Sequence, residues 1–129
     1  MRAEGPFDVV RTAEAVHAAA DGLLGRHALA KTYHGALAAA GTGEMLSAGT
    51  ATPGSAGYVA IEKVTGTLDG RKGTFYLQHS GTLTRGQGTL SIHVIPDSGT
   101  NDLVGLTGTM QIVIADGGKH SYVFEYALG

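Results

Sequence analysis

Apolar and polar residues alternate along most of this chain, and the alternation is interrupted at short intervals by glycine-rich punctuation. A period of two is the signature of strands with one buried face. The clearest instance is Gly57 to Ser80, GYVAIEKVTGTLDGRKGTFYLQHS. Two β-rich runs flank a polar turn at Asp69-Gly70-Arg71-Lys72, and Asp-Gly in such a place is a strong hairpin signal. In the first run Tyr58, Ala60, Glu62 and Val64 share a face; in the second Phe75, Leu77 and His79 do. A turn of two or four residues joins these two faces into one, and four residues set Glu62 directly opposite His79. The shared face is otherwise apolar, so it reads as the inward one.

The rest of the chain divides in the same way. Residues 3–10 make a first strand, with Pro6 placing it at an edge or at a strand start. Residues 12–20, TAEAVHAAA, are read either as a short helix capped by Thr12 or as an open connection closed by Asp21-Gly22. Residues 26–38 alternate as a strand, with Gly35 marking a bulge or bend, and residues 41–50 form another. Turns follow at 52–55 and 84–88, and residues 89–95 alternate with Leu90, Ile92 and Val94 together. After the loop at 96–101 come strands at 108–115 and 119–127, the last with Tyr122, Phe124 and Tyr126 on one face.

About eight strands joined mostly by short turns predict an all-β sandwich or barrel. No alternating helices are present to cross over a parallel sheet. Closure into a barrel removes exposed edges, which favours an eight-stranded antiparallel β-barrel. The 129 residues read as a single domain, 1–129, large enough for a real core.

Composition narrows the function. A net charge of -2 with no basic run gives no electrostatic case for nucleic acid. With no cysteine there is no disulfide or thiolate chemistry. The N-terminus lacks the apolar core of a signal peptide, and no apolar run approaches a membrane span. A cytoplasmic location is therefore expected. The six histidines show no metal-binding spacing, and no metal or other cofactor is expected.

The chemistry that remains sits on the hairpin. A carboxylate and an imidazole in an apolar setting form a pair that can titrate near neutral pH and serve as general acid or base. Glu62 and His79 are the catalytic candidates. The same two residues equally fit a buried structural pair, and one residue of register slip separates them. Tyr58, Phe75, Leu77, Tyr122 and Phe124 are the candidate ligand contacts. Gln78 joins them only where a bulge turns it inward.

Three pieces together, EKVTGTLDGRKGTFYLQHSGTL, VIPDSGTNDLVGLTGTM and GKHSYVFEYAL, resemble the DUF3224 family of small bacterial proteins. The likeness is collinear from about Tyr33 to Leu128. That family is similar in fold to the allene oxide cyclase barrel, so the resemblance implies an eight-stranded antiparallel barrel. It places Glu62 and Gln78-His79-Ser80-Gly81 in its recurrent pieces and carries no secure activity. Related barrels handle apolar small molecules in the lumen and are often homo-oligomers. The resulting expectation is a lumenal site for an apolar small molecule, acting as a cyclase or isomerase, with a carrier or a structural oligomer as alternatives.

Overall fold

The computed structural model describes residues 1–17 and 22–129. Eight strands run in order around a closed antiparallel barrel: β1 (Arg2–Glu14), β2 (Leu24–Tyr33), β3 (Leu37–Gly49), β4 (Ala56–Leu68), β5 (Arg71–Thr84), β6 (Gln87–Val94), β7 (Leu106–Ile114) and β8 (His120–Leu128). A single 3₁₀ turn, Asn101–Leu103, interrupts the connection between β6 and β7. Among the described residues, no helix is long and apolar enough to cross a membrane.

Two expectations need correction. Residues 12–14 continue β1 rather than starting a helix, pairing Thr12 with Ala28 and Glu14 with Arg26. The pairing energy of a long hairpin outweighs the helix preference of a short alanine-rich run. Residues 18–20 of the expected helix lie outside the described residues. The strand expected over 26–38 is two strands: the chain turns at Gly35, which has φ +91, and β3 begins at Leu37. A Cβ on Gly35 would press on the backbone carbonyl oxygen of Glu4, so glycine is required twice over.

The central hairpin turns in two residues. Asp69 and Gly70 both have positive φ, 48 and 81, which is the primed turn that matches strand twist. Leu68 therefore pairs with Arg71, and the register carries Glu62 opposite Leu77 and Ala60 opposite His79. The inward alternation runs through the whole hairpin as expected, from Ala60 to Leu68 on β4 and from Gly73 to Gly81 on β5.

The lumen is filled at one end and open at the other. Leu37, Leu68, Phe75, Leu103, Leu106 and Phe124 belong to a large buried cluster. Phe124 stacks between Phe75 and Tyr126, at centroid distances of 5.8 and 5.4 Å. The β6–β7 connection closes this end: it runs beside β5, with the Ile95 amide donating to the Tyr76 carbonyl at 2.9 Å and the Thr100 amide to the Thr74 carbonyl at 2.9 Å. Leu103 then drops into the core, 1 % exposed. Because this segment takes β5 as its neighbour, β6 and β7 meet at one residue pair, His93 with Thr109. Towards the other end the inward residues thin to a small cluster of Leu29, Met45 and Ala60, flanked by Tyr58.

Candidate functional site

Glu62 lies between these two clusters, with Val64 of the packed core on one side of it along β4 and Ala60 of the smaller cluster on the other. Its side chain has no solvent exposure. Two strands, β2 from beyond β3 and the neighbouring β5, bring three donors to the carboxylate. Lys31 Nζ of β2 donates to Oε1 at 3.0 Å. His79 of β5 places Nε2 2.9 Å from the same oxygen. The Tyr33 hydroxyl, two residues beyond Lys31 on the same face of β2, donates to Oε2. Every oxygen of a buried carboxylate must be paired, and here both are.

Room for this group comes from glycine. Gly41 and Gly43 are inward positions of β3, and Gly43 pairs with Glu62 across the ladder. A Cβ on Gly41 would collide with the Glu62 carboxylate, and one on Gly43 with the Ile61 carbonyl oxygen. Two side chains are thus left out of the barrel wall where the ion cluster stands. Lys31 is further held by aromatic faces, its Nζ lying 5.4 Å from the Phe7 ring centroid and 5.9 Å from that of Tyr33.

Burial alone pushes the Glu62 carboxyl up, but the hydrogen bond from His79, the Lys31 charge and the Tyr33 hydroxyl together outweigh it. The group is held below its ordinary 4.5 and is a carboxylate at neutral pH. Of the expected Glu62–His79 pair, Glu62 is the member held ionised. The Tyr33 phenol is pushed far up, first by burial and then by the adjacent negative charge. It stays protonated and serves as a fixed donor. Because the ionised Glu62 can only accept, His79 Nε2 is the donor to Oε1, and Nδ1 is the ring nitrogen left for another partner.

Above the cluster the lumen opens into a cup of about 970 Å³. Its apolar wall includes Val9, Leu29, Met45, Tyr58, Ile112 and Ile114. Lys31 and His79 are exposed to it at the bottom, whereas Glu62 is not among its lining residues. Tyr58 lies over Gly81, its cross-strand partner, where a Cβ would meet the ring at 2.5 Å.

The expected contacts sort by height in the barrel. Tyr58 and His79 line the cup. Phe75, Leu77 and Phe124 are inward but belong to the filled half, each at most 1 % exposed. Tyr122 is buried as well, and its hydroxyl is spent on backbone: it accepts from the Leu37 amide at 2.9 Å and donates to the His34 carbonyl at 2.6 Å. Gln78 is outward and exposed, because β4 and β5 pair without a bulge and Gln78 faces Ile61 across the ladder. Lys31, which the alternation of β2 set on the same face as Tyr33, was not picked out from the sequence as a site residue. A lone lysine amid apolar inward positions was the available signal. Among the described residues no group of three or more histidines and carboxylates is placed to hold a metal ion.

Comparison with known proteins agrees with this architecture. The model of the family described as "Protein of unknown function (DUF3224)" matches residues 3–126. A crystal structure of a DUF3224 protein of unknown function from Shewanella oneidensis MR-1, at 1.84 Å resolution, superimposes with a TM-score of 0.95. The two sequences are 50% identical, and the alignment covers 100% of this chain and 97% of that one. No curated protein matches the chain.

Proposed function

The chain belongs to the DUF3224 family, and we propose that it binds a small, largely apolar molecule in the cup at the open end of its barrel. The observation that carries this reading is the cavity of about 970 Å³ with a mainly apolar wall and convergent polar groups at its base. Concave apolar sites with few polar groups are the usual form of small-molecule pockets. A packed lumen would leave no such volume in an eight-stranded barrel.

In its enzymatic form the reading is a cyclisation or isomerisation driven by proton transfer from side chains alone. His79 is the group that meets the substrate. Glu62 is a positioning residue: it is sealed beneath the cup, fixes the proton on His79 Nε2 and stabilises the imidazolium formed when Nδ1 accepts a proton. The proton returned to product completes an isomerisation with no net change of oxidation state. Lys31, beside the imidazole on the same carboxylate oxygen, offers a second cation to developing negative charge.

One observation favours a purely structural role instead. Glu62, Lys31, Tyr33 and His79 satisfy one another within the barrel wall, as a stability device would. Native mass spectrometry of protein purified from its own host separates these readings. A bound compound that is lost or weakened in Met45→Trp, which narrows the cup, supports the binding reading. Incubating that compound with the protein in heavy water then tests turnover: deuterium incorporation that is lost in His79→Gln marks an enzyme, and no incorporation marks a carrier. Wild-type protein that carries no ligand, and takes none up from a host extract, leaves the structural role.

A further inference from the structure

The ionisable groups that line the cup are of one kind, Arg, Lys and His, among the described residues. The protein as a whole is slightly acidic, with 11 Asp and Glu against 9 Lys and Arg. Yet Arg11, His27, Lys31, His79 and His120 line the cup and, among the described residues, no Asp or Glu does. Three of the chain's six histidines and two of its nine basic residues thus converge on one cavity. The Glu62 carboxylate lies behind Lys31 and His79 with no exposed surface, so it tempers the charge of the floor without presenting an acceptor to the lumen. Low-dielectric walls lined by one sign of charge concentrate the field inside a cleft.

Among the described residues, Arg11 and the Nδ1 atom of His27 lack a partner. Arg11, at the mouth, forms no ion pair among the described residues. The Nδ1 of His27 is buried and makes no hydrogen bond. A buried polar atom left unpaired is costly, so its presence at a cavity wall points to a partner supplied by a ligand. The surfaces around these groups are apolar: Val9 stands beside Arg11 on the inward face of β1, and Leu29 beside His27 on that of β2.

Building on the proposed cup site, we infer that its ligand is an apolar molecule carrying a negatively charged head, such as a carboxylate. The apolar body fills the space between Leu29, Met45, Tyr58 and Ile112, and the head is met by the Arg11 guanidinium and the neighbouring imidazoles. A cationic amphiphile is disfavoured by the same lining, since among the described residues no carboxylate lines the cup. An uncharged analogue of the same shape binds more weakly because it covers Arg11 and His27 without giving them a charged partner.

The test uses one apolar body in two charge states: cis-parinaric acid and its methyl ester, followed by fluorescence on binding to the full-length protein. The acid is expected to bind about tenfold or more tighter than the ester, the size of one charge-assisted hydrogen bond. Added salt should narrow the gap. Joint substitution Arg11→Gln and His27→Gln, both away from the Glu62 cluster, should bring the two affinities together. Equal affinity of acid and ester in wild type, with both weakened in Met45→Trp, would overturn the anionic head while leaving the cup as a binding site. Failure of either molecule to bind would overturn both.

Discussion

His79 stands across the β4–β5 ladder from Ala60, two residues along from Glu62, and its Nε2 reaches the Glu62 carboxylate at 2.9 Å. This diagonal contact leaves the position opposite Glu62 to Leu77, so the carboxylate is roofed by apolar atoms and approached by polar ones from the side. The arrangement makes Glu62 the hub of the barrel wall and His79 its link to the cup.

Glu62→Gln should therefore be strongly destabilising. It removes the countercharge from a Lys31 side chain that is only 6 % exposed. Breaking a buried pair by removing one partner costs about 3–5 kcal/mol. The loss is read as a lower urea midpoint with unchanged slope. An effect near zero would mean that water reaches Lys31.

The pH dependence follows from the same carboxylate. Its folded value lies below the 4.5 of the unfolded chain, so the unfolded state binds the proton more readily. The stabilisation from this group is complete above 4.5 and drains away as pH falls from there through the folded value. Thermal unfolding measured between about pH 6 and pH 2 should show this acid decline in wild type and a shallower one in Glu62→Gln. Parallel curves would show that Glu62 is not held low.

Gly41→Ala tests the space allotted to the cluster. Its methyl group would collide with the Glu62 carboxylate. Overpacking of a rigid interior costs about 1–3 kcal/mol. The same substitution in a Glu62→Ala background should cost much less, giving a coupling of about 0.5–3 kcal/mol in a double-mutant cycle. Additive costs would contradict the contact.

Tyr122→Phe separates the filled half from the cup. It deprives the Leu37 amide and the His34 carbonyl of a partner. A loss of about 1–3 kcal/mol in stability is expected from urea unfolding. Affinity for a cup ligand should not change, since Tyr122 does not line the cavity. A large loss of affinity would place the ligand deeper than the cup.

Strand alternation made the fold legible. Tyr58, Ala60, Glu62 and Val64 on one side of the hairpin and Phe75, Leu77 and His79 on the other all face inward, because the period of two survives any even-length turn. Turn length itself was less legible: Asp69-Gly70 suffices for the turn, and this moves His79 from opposite Glu62 to its diagonal. The height of a residue in the barrel was not legible at all. Phe124 and Tyr58 both read as inward aromatics, yet one is packed into the solid half and the other borders the cup. That difference depends on the β6–β7 connection folding over one end, which leaves no periodic trace. Lys31 escaped notice for a related reason: its partner Glu62 is 31 residues away, and only the ladders β2–β3 and β3–β4 bring them within reach.

The most direct test of the central claim is titration of the full-length protein with N-phenyl-1-naphthylamine, an uncharged apolar probe, in wild type and in Met45→Trp. A cup that accepts small apolar molecules predicts saturable, blue-shifted emission at one probe per chain in wild type, and weaker binding in the narrowed variant with thermal stability retained. Absent emission in wild type, or equal emission from both proteins, would contradict a ligand site in the barrel.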